Sequence, residues 1–137
     1  MTQLEPQLRR RVTEARVARL ATVRPDGRPH VVPITFALDG DEIVSAIDHK
    51  PKTTIDLQRL RNLDANPAAS VVVDHYEDDW SQLWWARGDG TARVVSSGAQ
   101  WEGALGLLTE KYAPYRGAPL SGPVIIVTVD RWVTWAP

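Results

Sequence analysis

Apolar residues near the start of the chain recur at helical spacing: Leu4, Leu8, Val12 and Ala15. With Thr2 and Glu5 placed as a capping box, the pattern predicts an amphipathic helix over about 3–15. From Val17 the period shortens to that of a strand. Residues 17–23, the turn Arg24-Pro25-Asp26-Gly27 and a returning run at 29–38 read as a hairpin. Asp39-Gly40 is a second tight turn, and 42–47 is a third strand that extends the hairpin into a meander.

Over 52–63 the helical period returns through Ile55, Leu57, Leu60 and Leu63, with Thr53 and Asp56 as cap candidates. Asn66-Pro67 stops this second helix, because proline cannot continue it and restricts the residue before it. The Val-rich run 70–76 reads as a buried fourth strand. The acidic turn Glu77-Asp78-Asp79 leads to a fifth at 82–95, where Gly88-Asp89-Gly90 signals a bulge or bend. Ser97 and Gln100 are placed to cap a third helix that carries Trp101, Leu105, Leu108 and Tyr112 on one face. Residues 113–123, with three Pro and two Gly, read as a loop, and 124–134 as the last strand.

Six strands in mostly hairpin order, with helices after the third and fifth, predict an α+β fold whose antiparallel sheet curls into a barrel. No glycine fingerprint joins a strand to a helix, and the early turns are too short for parallel crossovers, which excludes a Rossmann arrangement. At 137 residues the expectation is a single domain, 1–137, with no internal repeat or dividing linker.

Composition narrows the function classes. Sixteen Lys and Arg against seventeen Asp and Glu leave a net charge of -1, so nothing global draws the chain to nucleic acid or an anionic membrane. An anion site must be local. The absence of Cys removes disulfides, thiolate metal sites and thiol nucleophiles, and fits a reducing compartment. Glu5 and Arg9-Arg10-Arg11 stand where a signal peptide needs an apolar stretch, and no run approaches about 18 apolar residues, so the expected location is the cytoplasm. Six Trp in so short a chain fit either core and interface packing or stacking on a planar ligand.

The main local signal for chemistry is His49-Lys50-Pro51-Lys52-Thr53, followed by Arg59, Arg61 and Asn62. Lys50 and Lys52 fall where a strand ends and a helix starts, and the free N–H groups and positive dipole end of a helix favour an anion such as phosphate. A solvated basic helix surface accounts for the same residues. Arg59 and Asn62, three apart, share a helix face, whereas Arg61 points elsewhere. His30, His49 and His75 with Asp48 and Asp74 lack the short spacing of a metal site. Ser45, Asp74 and His75 lack a nucleophile elbow, so no catalytic residue is assigned. A cofactor that does the hard chemistry would need the protein only to bind, orient and exclude water.

The run Val17-Ala18-Arg19-Leu20-Ala21-Thr22-Val23, then Pro25-Asp26-Gly27-Arg28-Pro29 and Val32-Pro33-Ile34, resembles the opening of the pyridoxamine-phosphate-oxidase-like split β-barrels. Arg59-Leu60-Arg61-Asn62-Leu63, Asn66-Pro67 and Val71-Val72-Val73 continue the likeness. Lys50-Pro51-Lys52 with Asp74-His75-Tyr76, Asp79-Trp80 and Leu83-Trp84-Trp85 is similar to the actinobacterial branch of coenzyme F420-dependent enzymes.

The resemblance implies a six-stranded antiparallel split β-barrel with flanking helices. It implies a homodimer with cofactor clefts at the subunit interface. Lys50, Pro51, Lys52, Thr53 and Arg59 would form the phosphate grip, with Arg61 and Asn62 as second choices. Pro33, Ile34 and Thr35 would lie beside the ring system, and Trp80 of the partner subunit would close over it. The implied cofactor is F420, with FMN as alternative, and the implied reaction is two-electron hydride transfer to an unsaturated small organic substrate. Two alternatives stand beside it: an FMN-dependent oxidase, or a protein that binds or carries F420, FMN or haem without turnover, for which only His49 and His75 would attract haem.

Overall fold

The computed structural model describes residues 3–47 and 57–137. Helix α1, Pro6–Glu14, is capped by the side chain of Glu5, which accepts from the backbone N–H groups of Gln7 and Leu8. Glu5 is thus itself the N-cap, whereas the expectation paired it with Thr2, which lies outside the described residues; Pro6 sets the first helical position. Leu8 and Val12 are buried, each worth about 1.5–3 kcal/mol against exposure.

Strand β1, Ala18–Val23, pairs antiparallel with β2, Pro29–Ile34. The turn between them closes through Gly27 N–H to the Arg24 carbonyl at 2.8 Å, and Gly27 takes a φ of 89°, a left-handed value that favours glycine. The returning strand does not run on to Leu38. It breaks at Thr35-Phe36, and β3, Ala37–Asp39, pairs instead with β4, Glu42–Ala46. The expected meander is therefore interrupted, and among the described residues the sheet has seven strands where six were expected.

Helix α2, Gln58–Ala65, precedes β5, Ala68–His75, and a single 3-10 turn at Trp80–Gln82 leads into β6, Trp84–Val95. Helix α3, Ala99–Lys111, starts after Gly98 without a side-chain cap, so the Ser97–Gln100 cap does not form. The expected loop contains a short helix α4, Pro114–Gly117, before β7, Val124–Trp135. Among the described residues no helix is long and apolar enough to cross a membrane.

The strands run in the order β2-β1-β5-β6-β7-β4-β3, so β2 and β3 form opposite edges of one sheet. Only Thr35 and Phe36 separate these edges along the chain. Two residues reach about 10 Å, whereas the edges of a flat seven-stranded sheet stand roughly 29 Å apart. The sheet must curl until its edges meet, which gives an α+β split barrel.

Leu20, Val71, Val73, Phe36, Ile43, Ile125 and Val127 fill its interior, and Leu4, Leu8, Val12 and Leu63 join them. Ala104 and Leu108 of α3 pack with Val44, Ala46, Val124 and Ile126 as a second core on the outer face of β4 and β7. The bend predicted at Gly88-Asp89-Gly90 is a register shift between β6 and β7 at Asp89/Gly90. There Gly90 lets the two backbones approach so closely that an added Cβ would stand 1.9 Å from the Thr128 carbonyl oxygen.

Candidate functional site

The break between β2 and β3 forms the wall of a groove of about 200 Å³. Pro33, Ile34 and Thr35 line it from the end of β2, Ser45 and Ala46 from β4, Val17 from the approach to β1, and Arg59 from the first turn of α2. The structure thus brings together four of the residues singled out in the sequence. Arg59 adds a guanidinium where the amino end of α2 already carries a partial positive charge. Its field extends to His30 on β2, whose pKa lies below the ordinary value through burial first and the charges of Arg24 and Arg59 second.

Thr35 is held from several sides. Its carbonyl accepts from Ser45 Oγ at 2.7 Å, and its hydroxyl and the Tyr115 hydroxyl share a hydrogen bond of 2.7 Å. The next residue, Phe36, gives its N–H to Tyr112 Oη at 3.1 Å, and its carbonyl accepts from Lys111 Nζ at 2.9 Å. Lys111 also stands 3.9 Å from the centre of the Phe36 ring. Burial, with a smaller effect from Arg16, lowers the Lys111 pKa to about 8. The end of α3 and helix α4 therefore clamp the groove wall. Sequence reasoning missed Ser45, Lys111, Tyr112 and Tyr115 in this role, and the available signal was the pair of tyrosines beside a lysine directly after a helix.

The other expected site residues separate. Lys50, Pro51, Lys52 and Thr53 lie outside the described residues. Arg61 hydrogen-bonds Gln58 Oε1 at 2.7 Å and lines a different groove, with Asp64 and Arg93, so it does point away from Arg59. Asn62 is buried at 0% exposure, donates to Thr22 Oγ1 at 2.9 Å and accepts from Gln58 Nε2 at 2.7 Å. Its amide is committed to the packing of α2 on β1 and faces the core. Trp80 is 76% exposed at the head of β6. Among the described residues no three His, Asp or Glu side chains are grouped to hold a metal: His75 pairs with Glu77, and Asp74 with Arg19 at 3.1 Å.

The sequence family described as pyridoxamine 5'-phosphate oxidase matches residues 4–136, nearly the whole chain. The chain belongs to the pyridoxamine 5'-phosphate oxidase family. No curated protein matches the sequence. Three solved structures illustrate how far the family fold reaches. A conserved hypothetical protein from Mycobacterium tuberculosis is 20% identical with a TM-score of 0.77, over 99% of this chain and 86% of that one. HutZ, the haem storage protein from Vibrio cholerae, is 20% identical with a TM-score of 0.74, over 98% and 95%. An FAD-binding protein from Mesorhizobium loti is 18% identical with a TM-score of 0.70, over 98% and 95%. At these identities the likeness concerns the fold. Within the pyridoxamine 5'-phosphate oxidase fold, the groove at the β2–β3 break is where this chain gathers wall, hydroxyls and cation.

Proposed function

We propose that this protein binds a phosphate-bearing deazaflavin, coenzyme F420, and uses it to reduce an unsaturated small organic substrate. The observation that carries the reading is that Pro33, Ile34, Thr35 and Arg59 line one groove. A planar heterocycle needs a flat wall with a few fixed polar groups, and its phosphate needs a cation. Extended backbone at 33–34, two hydroxyls and one guanidinium meet those needs in this groove. FMN offers a similar planar tricyclic ring, with nitrogen where the deazaflavin has C5, and a phosphate; F420 is preferred for its more anionic tail, which suits additional basic residues at Lys50 and Lys52.

Arg59 is then a phosphate contact, and Lys50, Pro51, Lys52 and Thr53 supply the rest of the grip. Arg61 remains a second contact for a longer tail. Asn62 acts indirectly, by holding α2 so that Arg59 stays at the groove. When bound, the deazaflavin supplies a hydride to the substrate; the protein orients the ring against residues 33–35 and keeps water from it.

At about 200 Å³ the groove is smaller than the roughly 300–1,000 Å³ of most small-molecule sites, so further walls are required. A second copy of the chain would supply them. Val31, Tyr76 and Trp80 are large apolar side chains left 60%, 65% and 76% exposed, which a partner subunit could cover. In a homodimer, Trp80 of the partner subunit would close over the ring.

A carrier of F420, FMN or haem would use the same groove and differ only in turnover. The test is therefore kinetic. Reduced F420 bound to the protein is mixed with a panel of enones, quinones and nitroaromatics. Accelerated oxidation of the cofactor supports the reductase. Binding without acceleration by any member favours a carrier.

A further inference from the structure

Helix α4 lies between α3 and β7, outside the groove, yet one of its side chains reaches the groove wall. Tyr115 is buried, and its hydroxyl lies 2.7 Å from Thr35 Oγ1. Its ring is itself fixed, packed edge-on against Tyr112 with centroids 5.7 Å apart. Tyr112 in turn bonds both polar backbone groups of Phe36. A threonine hydroxyl otherwise rotates to suit whatever is near it. Here one of its hydrogen bonds is taken by the phenol of a buried tyrosine whose ring is packed in place. Either hydroxyl can donate in that bond, so the capacity left on Thr35 Oγ1 is narrowed to the directions the bond leaves open, and Thr35 lines the groove.

We propose that Tyr115 is a positioning residue that sets the Thr35 hydroxyl as the hydrogen-bonding contact for the polar edge of a planar heterocyclic ligand in the groove. The inference rests on the cofactor reading above and deepens it, because it identifies which group meets the ring and what orients it. Ser45, bonded to the Thr35 carbonyl at 2.7 Å, fixes the same residue from the β4 side. Helix α4 thus acts on the ligand through Thr35 without touching it.

The variants Tyr115→Phe, Thr35→Val and the double variant test this, with Thr35→Ser as the conservative control. Each is titrated with FMN and with F420, recording affinity and the absorption spectrum of the bound cofactor, and thermal melting is followed alongside. Loss of one oriented hydrogen bond predicts about fivefold weaker binding for either single variant, a shifted spectrum, and little further loss in the double variant. Thr35→Ser retains binding within about twofold. A lowered melting temperature with unchanged affinity and spectrum would overturn the positioning role, as would losses that add in the double variant. If the wild-type chain binds neither cofactor, the cofactor reading falls and takes the positioning role with it. If the wild type binds and Tyr115→Phe binds identically, the positioning role alone falls.

Discussion

Asn62 Nδ2 donates to Thr22 Oγ1 across 2.9 Å, a buried bond that ties helix α2 to strand β1 beside the packing of Leu63. Because Gln58 Nε2 also donates to Asn62 Oδ1, replacing Asn62 by Leu strands two polar partners at once. The expected cost is about 1–3 kcal/mol of folding stability, measured by urea unfolding. A change under about 0.5 kcal/mol would mean that water or a neighbour replaces the amide.

Gly90 cannot accept a side chain. A Cβ there would stand 1.9 Å from the Thr128 carbonyl oxygen, a backbone atom that cannot swing aside. Gly90→Ala should cost more than about 3 kcal/mol or prevent folding, whereas Gly103→Ala, which meets nothing within 4 Å, should be tolerated. Comparing soluble yield and melting temperature of the two variants decides the point.

Lys111 gives a pH dependence with a definite sign. In the folded chain it titrates at about 8 because burial disfavours its charge, while unfolded it titrates near 10.5. Between these values the unfolded state holds more protons, so this group makes the protein more stable as pH rises from about 8 to about 10.5. The charge is a burden below that window. The stability of wild type relative to Lys111→Met should therefore increase over the window in chemical denaturation measured at several pH values. A flat difference would show that the Phe36 carbonyl and ring keep the ammonium charged.

The outer face of the sheet carries the dimer prediction. Val31 is 60% exposed on β2, and Trp135, 43% exposed, stands opposite Trp85 on the β6–β7 ladder. Val31→Glu and Trp135→Glu should each convert a dimer to a monomer in sedimentation analysis without loss of the fold. A dimer that persists in both variants would place the interface elsewhere.

Local patterns in the sequence make most of the fold legible. Periodicity locates α1, β1, β4, β5 and α3, and Gly88-Asp89-Gly90 signals the register shift. The break at Thr35-Phe36 is hidden because Ile34, Thr35 and Phe36 are all good strand formers, while the proline of the run, Pro33, falls before the break and inside β2. What divides that run is tertiary: Ser45, Tyr112 and Lys111 each form a hydrogen bond with the break. The candidate groove is legible in part. Pro33, Ile34, Thr35 and Arg59 fall at the groove, but Asn62 carries the same polar label as a ligand contact while its partners are Thr22 and Gln58. Spacing along a helix states which residues share a face; it does not state whether that face meets a ligand or a strand. Tyr115 is invisible for a related reason, since a Pro- and Gly-rich stretch gives no sign that it folds back onto a strand break.

The central claim is that the groove at the β2–β3 break holds a phosphate-bearing deazaflavin with Arg59 on the phosphate. Its most direct test is a binding titration of the purified protein with F420 and with FMN, repeated on Arg59→Ala. The account predicts micromolar or tighter binding of F420, weaker binding of FMN, and roughly tenfold loss of F420 affinity in Arg59→Ala with the fold intact. Failure of both cofactors to bind, or F420 binding untouched by Arg59→Ala, would contradict it.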